Sequence, residues 1–225
     1  MTITPAPIPG IPESHSERLN LAYDHGTPYD FLQALSQDED HRIREAVAYN
    51  SACTVDLLDK LSRDKSSAVR LAVATNAETG SETFKRLAQD ESPLVVARVS
   101  WNQHTPIKVL SDLARHSNLK VRVGVAGNQS TPLAALYALW DDGEEQVQGA
   151  IASNPRIPYD LLLLASRHGS AWVREGVCHN STAPEDAFAE LRMDDDEGVR
   201  NAAEHRLMAM ERELERRIAE RLAEN

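Results

Sequence analysis

Apolar residues along this chain gather into two alternating clusters, and both clusters return every 26 residues without an insertion or deletion. The first has the i, i+1, i+4 spacing of one helical face: Phe31/Leu32/Leu35, Leu57/Leu58/Leu61, Thr83/Phe84/Leu87, Val109/Leu110/Leu113 and Ala135/Leu136/Leu139. Pro28, Pro106, Pro132, Pro158 and Pro184 stand just ahead of such clusters, where Thr54 takes their place once. Proline at a first helical position, following Thr27, Thr105 or Thr131, predicts a helix start. The second cluster is shown by AVRLAVATN at 68–76, where Val69 and Val73 lie four apart with Ala72 and Ala74 beside them. That spacing predicts a short helix of about two turns. It opens on the column Ile43, Val69, Val95, Val121, Val147, Val173 and Val199. Small residues at Ala46, Ala72, Gly124, Ala150 and Gly176, and at Ala48, Ala74, Ser100, Ala126, Ala152 and Cys178, permit close backbone approach.

No alternating β-pattern interrupts this beat, and a fixed period of this length marks a solenoid. The expected fold is all-α: a right-handed α-solenoid of about seven 26-residue two-helix repeats with a long C-terminal helix. Each repeat exposes an apolar face that only its neighbours can cover, so the array is cooperative and its ends need caps.

Polar residues keep the same period. Asn50, Asn76, Asn102, Asn128, Asn154 and Asn180 close the second segment, with Asp24 one step earlier. Asn at a helix end suits a side-chain-bonded turn, and a recurrent Asn can form a ladder that satisfies backbone groups between repeats. Six residues before these stand Arg44, Arg70, Arg122 and Arg174, continued at Arg18 and Arg200 and interrupted by Val96 and Gln148. Asp38, Asp64, Asp90, Asp142 and Asp194 recur six residues before the arginine column, while His116 and His168 fill its other two places. A structural ion pair between each Asp and the Arg following it in the same repeat accounts for both columns. The alternative is a line of guanidinium groups along a groove, suited to phosphates or acidic peptides.

The repeat L-A-x-D-x-x-x-x-V-R-x-A-V-A-x-N-x-x-T-P, present as LSRDKSSAVRLAVATNAET and LARHSNLKVRVGVAGNQSTP, resembles the leucine-rich repeat variant family. The resemblance spans about residues 15–206 in seven registers plus a fragment. It implies a superhelix of alternating α and 3₁₀ helices, distantly similar to HEAT repeats, in which one helix of each pair is tight and 3₁₀-like. The best-known member carries an iron–sulfur cluster on an N-terminal cysteine-rich segment. Residues 1–14 here contain no Cys, so the cluster is not carried over and no cofactor is expected. What remains is architecture, and a fold does not fix function.

Three segments are expected: a disordered Pro-rich tail at 1–14, with Pro5, Pro7, Pro9 and Pro12; the repeat solenoid at 15–202; and an amphipathic helix at 203–225. In the last, Leu207, Met210, Leu214, Ile218 and Leu222 form one stripe, and Glu213 with Arg217 makes an i, i+4 pair. This helix either caps the final repeat, the favoured reading, or pairs with a second copy as a short coiled coil, leaving a monomer or a weak homodimer.

Net charge is −11, which opposes binding to nucleic acid and somewhat favours basic partners. The runner-up function is nonetheless HEAT-like nucleic-acid binding on an Arg-lined concave face, with Arg98, Lys120, Arg122 and Arg174 clustered. No apolar run reaches the ~18–20 residues of a membrane span, and residues 1–14 lack a basic start and an apolar core, so a cytoplasmic protein with no membrane partner is expected. Cys53 and Cys178 cannot hold a metal alone, no metal-spaced His/Asp/Glu set lies on one helix, and no phosphate loop or nucleophile elbow occurs. No catalytic residue is assigned, and the chain is read as a non-enzymatic scaffold that binds an unidentified protein or peptide on one solenoid face. Candidate anchors lie where columns break. Arg98 takes the place of a small residue beside Val96, and Trp140 stands where other repeats have Ser36, Ser62, Ala88 or Ala114. Tyr49, Trp101 and His179 share the variable column just before the Asn. The simpler account of the first two is a local exchange of Arg98 for the missing Arg and a space-filling role for Trp140.

Overall fold

The computed structural model describes residues 10–223, in which helices and turns are joined without a strand. Most of the expected tail, residues 1–9, lies outside the described residues. The chain divides into two compact units, Met1–Val109 and Leu110–Asn225.

In the first unit the helices are α1 (His15–Tyr23), α2 (Tyr29–Leu35), α3 (His41–Tyr49), α4 (Val55–Leu61), α5 (Ser67–Thr75), α6 (Ser81–Leu87) and α7 (Pro93–Trp101). α8 (Ile107–Leu113) runs across the division. α1, α3, α5 and α7 stack one on the next, and α2, α4 and α6 each pack on the helix that follows. The second unit repeats the plan with α9 (Leu119–Gly127), α10 (Leu133–Trp140), α11 (Glu145–Ala152), α12 (Tyr159–His168), α13 (Ala171–His179), α14 (Glu185–Leu191) and α15 (Glu197–Ala223). There α9, α11, α13 and α15 form the stack, and α10, α12 and α14 pack on their successors. Each unit is therefore a stretch of α-solenoid built from two-helix repeats.

The two apolar clusters supply the core. Leu32, Leu57, Leu58 and Phe84 from the short helices meet Ile43, Val47, Val69, Val73, Val95 and Val99 from the stacked ones, all without solvent exposure. Leu136, Phe188, Val121, Val125, Val147, Ile151, Val173 and Val177 do the same in the second unit. Each such side chain contributes about 1.5–3 kcal/mol on burial.

Helix ends differ from the sequence reading in detail. Pro28, Pro132, Pro158 and Pro184 occupy the N-cap rather than the first helical turn. The threonines of this column face backwards: Thr27, Thr79, Thr105 and Thr131 each donate their hydroxyl at 2.6 Å to a carbonyl six residues earlier, in the preceding helix. They satisfy orphan carbonyls at a helix C-terminus instead of starting a helix. The 3₁₀ helix implied by the family resemblance is not formed among the described residues, where all fifteen helices are α-helices. Tight geometry survives only as single three-residue bonds at helix ends, such as Phe31 N–H to the Pro28 carbonyl at 3.0 Å and Gln37 N–H to the Ala34 carbonyl at 3.0 Å.

No helix boundary falls near 202/203. The last stacked helix and the C-terminal segment are one continuous helix of 27 residues. Only its first part covers the end of the stack: Val199 and Ala203 are buried, and Arg206 lies 5.9 Å over the Phe188 ring. Beyond Leu207 the apolar side chains Met208, Leu214, Ile218 and Leu222 are at least half exposed. The helix expected at 203–225 therefore covers the end of the stack chiefly through its first residues, Ala203 and Arg206.

Candidate interaction surface

The asparagine column is consumed internally. Asn76 Nδ2 donates to the carbonyls of Ala48 at 2.8 Å and Asn50 at 3.1 Å, while its Oδ1 accepts the Glu78 N–H at 2.9 Å. Asn50, Asn154 and Asn180 repeat this geometry with partners 28 and 26 residues back. An amide with both donors and its acceptor engaged, and almost no exposed surface, is a joint between repeats and has nothing left for a ligand.

The arginine column is engaged too, by a different aspartate from the one expected. Arg44 reaches forward to Asp64 in the next repeat, with Nε–Oδ2 at 2.6 Å and Nη2–Oδ1 at 2.9 Å, and its Nη1 reaches back to the Asp38 carbonyl at 2.7 Å. Arg70 pairs likewise with Asp90, and Arg174 with Asp194. Arg18 and Arg122 keep single contacts to Asp38 and Asp142 at 2.8 and 2.6 Å. Arg200 Nη1 binds the Asp194 carbonyl at 2.6 Å. Within one repeat the six-residue spacing sets an Arg beside a carbonyl; the carboxylate it needs is twenty residues on. The same carboxylates shape the loops, since Asp38, Asp64, Asp90 and Asp194 each accept the N–H two residues later.

These pairs move protonation equilibria. Burial alone would raise the Asp64 carboxyl, but the Arg44 hydrogen bonds, the Ser66 N–H and the nearby cations more than offset it and hold it below the usual carboxylate range. The Arg174 hydrogen bond does the same for Asp194. Arg44 and Arg174 are raised in turn, first by their hydrogen bonds to these aspartates. Where the column lacks Arg, at Val96 and Gln148, the residue twenty positions on is His116 or His168 instead of Asp. A buried carboxylate without its cation would be costly. His116 performs the loop-capping task without a fixed charge, its Nδ1 accepting the Asn118 N–H at 3.0 Å. Gln148 keeps a donor role by bonding the Trp140 carbonyl at 3.0 Å. The breaks in this column are coupled structural substitutions. An Arg-lined phosphate groove loses its principal groups, because the guanidinium groups of Arg44, Arg70, Arg122 and Arg174 already face carboxylates.

Both helix rows keep outward faces: the short helices expose Val55, Ile107, Leu133 and Tyr159, and the stacked helices carry most of the candidate anchors. In the first unit α5 presents Ser67, Ala68, Leu71 and Thr75, and α7 presents Pro93, Leu94, Ala97 and Trp101, at the i, i+1, i+4, i+8 positions that leave the core. Leu94 is 66% exposed and Trp101 46%. Neither α5 nor α7 contains an acidic residue, although the chain carries a net charge of −11. Arg98, four residues from Leu94 and three from Trp101, shares this face and is exposed; Tyr49 stands at the end of α3, on the far side of α5. The structure therefore gathers three of the five candidates, Arg98, Trp101 and Tyr49, in one unit. Trp140 is half-buried at the end of α10, on the row of short helices. His179 is exposed in the second unit, 3.8 Å from Glu175.

Among the exposed apolar residues that the sequence reading did not single out are Leu94 and Trp172, which share a column with Ser16, Arg42, Ala68 and Lys120. The signal was available in PLVVARVSW, which has more apolar residues than one buried helical face requires. Among the described residues no group of three or more His, Cys, Asp or Glu is placed to hold a metal. Cys53 and Cys178 are buried, and burial pushes their thiols up to about 12 and about 11.

No protein-family model matches the chain. No curated protein matches it either. Among solved structures it is similar to a leucine-rich repeat variant described as having a novel repetitive protein structural motif, with 27% identity and a TM-score of 0.55 over 85% of this chain and 82% of that one. A designed armadillo repeat protein aligns at 16% identity and a TM-score of 0.30 over 86% of this chain and 98% of that one, a likeness too slight to bear on the fold. The resemblance carried by the repeat consensus is thereby shown in three dimensions: over most of its length the chain is similar to a leucine-rich repeat variant.

Proposed function

We propose that this protein is a non-enzymatic scaffold that docks another protein, or a peptide segment of one, on the α5–α7 face of its first unit. The observation that carries this reading is the pairing of two large exposed anchors, Leu94 and Trp101, on α7, which like the neighbouring α5 lacks acidic residues in a chain of net charge −11. Aromatic and aliphatic anchors in a surface poor in charge are what interface centres use. Arg98 beside them adds one cation, so the local complement is an apolar segment carrying a carboxylate. The net charge of the whole chain favours basic partners at long range, and the face itself selects by apolar contact. We infer a cytoplasmic setting from the two buried, unpaired cysteines, together with the absence, among the described residues, of a helix long and apolar enough to cross a membrane.

Affinity capture followed by direct titration of the recovered protein tests the proposal. Leu94→Ala or Trp101→Ala should weaken that complex about tenfold or more, with Tyr159→Ala, on an exposed short-helix position of the other unit, as the control. Unchanged affinity in both variants would remove the α5–α7 face from consideration. A salt-sensitive complex with DNA or RNA that survives both substitutions would support the nucleic-acid reading instead.

A further inference from the structure

The distal part of α15 leaves most of its apolar surface uncovered by its own chain. Residues 208–223 continue the helix about 24 Å past the last covered residues, at 1.5 Å per residue. Leu214 is 60% exposed, Ile218 50% and Leu222 73%. A lone segment of this length is marginal as a helix in water. Here three intrahelical ion pairs support it: Arg216 to Glu213 at 2.9 Å, Arg216 to Glu220 at 3.0 Å and Arg217 to Glu213 at 2.9 Å. The Arg216 and Arg217 bonds hold the Glu213 carboxyl down to about 2.

We propose that this segment pairs antiparallel with the same segment of a second copy of the chain. Two features of its sequence select that occupant and that direction. The stripe Leu207, Met210, Leu214, Ile218 and Leu222 advances by three, four, four and four residues, close to the 11-residue repeat that keeps a seam on one face of a nearly straight helix. Its last four members are symmetric about position 216: Leu214 and Ile218 lie two residues to either side and Met210 and Leu222 six, so a two-fold axis there sets each against its counterpart. The charges are self-complementary in the same sense. Residues 208–215 carry Glu211, Glu213 and Glu215 against Arg212, a net of −2; residues 216–223 carry Arg216, Arg217 and Arg221 against Glu220, a net of +2. Antiparallel pairing lays the acidic half of one helix over the basic half of the other. Parallel pairing would lay like on like, which is disfavoured. The contact is isologous and closes at two copies, so it yields a dimer and no filament. With few apolar residues from each copy it is a weak dimer, in the micromolar range, about 8 kcal/mol of association free energy.

Sedimentation of the full chain between about 1 and 200 µM provides the test. The weight-average mass should rise from 24.9 kDa towards twice that value, and Leu214→Glu with Ile218→Glu should hold it at the monomer without lowering the melting temperature, since both side chains are exposed. Direction is read by oxidation: Glu211→Cys mixed with Arg221→Cys should cross-link readily, while Glu211→Cys alone should not. A monomer throughout the concentration range overturns the proposal, as does a dimer unaffected by the double substitution. Rapid self-cross-linking of Glu211→Cys overturns the orientation. Binding to vesicles containing phosphatidylserine with no self-association would assign the stripe to a lipid surface instead.

Discussion

Leu94 on α7 and Trp172 on α13 stand in one column of the repeat, are comparably exposed, and have unlike surroundings. Twenty-three residues before Trp172 is Gly149, and a Cβ built there would lie 2.4 Å from the Trp172 Nε1. The indole thus lies across α11 where a side chain is missing. Gly176 deepens the approach: a Cβ there would come within 2.9 Å of the Gly149 carbonyl. The residue twenty-three before Leu94 is Leu71, and the counterpart of Gly176 in α7 is Arg98, whose side chain is exposed. In the second unit an exposed aromatic side chain completes the packing of two closely approached helices. In the first unit the exposed apolar residues extend a face that no glycine in the column undercuts. Exposure alone therefore does not mark a docking site; the column beneath the side chain decides.

The largest effects should come from what the two units share, and their size should differ between units with burial. Arg44 and Asp64 are 7% and 10% exposed, against 21% and 8% for Arg174 and Asp194. Removing one partner of a buried pair strands the other, at about 3–5 kcal/mol. Asp64→Ala should therefore cost more than Asp194→Ala in chemical denaturation, and Arg44→Ala with Asp64→Ala together should cost less than the sum. The same pairs set the acid response. Asp64 and Asp194 lie below their ordinary values when folded, so the stability they contribute is present at neutral pH and is lost as pH falls below the usual carboxylate range. Asp59, held at about 2 first by the Arg86 hydrogen bond, extends that loss from about 4 down to about 2. A melting temperature constant from pH 6 to pH 2, on a scale where such pairs shift it by several degrees, would contradict this assignment.

Next in size is the ladder. Asn76→Ala in the first unit and Asn154→Ala in the second each strand one carbonyl and one N–H and remove a second bond from a carbonyl that keeps its backbone donor, for about 2–4 kcal/mol. The bond geometry is nearly the same in the two, so the costs should agree; a difference beyond about 1 kcal/mol would show that the units do not share one joint. Asn→Asp at either site should be no rescue, because a carboxylate cannot donate to the carbonyls.

Much of this was legible in the chain because a strict period turns each structural demand into a visible column. The helix pairs, the buried Val and Leu columns and the asparagine ladder all followed from spacing. The arginine pairing was misread, since along the sequence an Asp six residues away looks nearer than one twenty residues away. Stacking reverses that order by setting each helix against its counterpart in the next repeat. The proline register was displaced by one residue: Pro28, Pro132, Pro158 and Pro184 are N-caps whether threonine, isoleucine or alanine precedes them. The candidate face was only half legible. Trp101 announced itself in a variable column, but Leu94 resembled one more core residue, and Gly149 beneath Trp172 acquires meaning only when the two helices are placed side by side.

The smallest effects discriminate the two faces most sharply. Gly149→Ala should destabilise the protein by about 1–2 kcal/mol, because the new methyl displaces the Trp172 ring. In a Trp172→Ala background the same change should become neutral or stabilising by about 0.5 kcal/mol or more, since alanine is the better helix former. That reversal of sign is the signature of an aromatic side chain used for packing, and identical costs in both backgrounds would refute it. Leu94→Ala should behave otherwise. Its side chain is two-thirds in solvent already, so stability should move by less than about 0.5 kcal/mol while the complex with the docked partner weakens. A loss of stability as large as that from a buried leucine would mean that Leu94 belongs to the core, and the α5–α7 face would then lose its principal anchor.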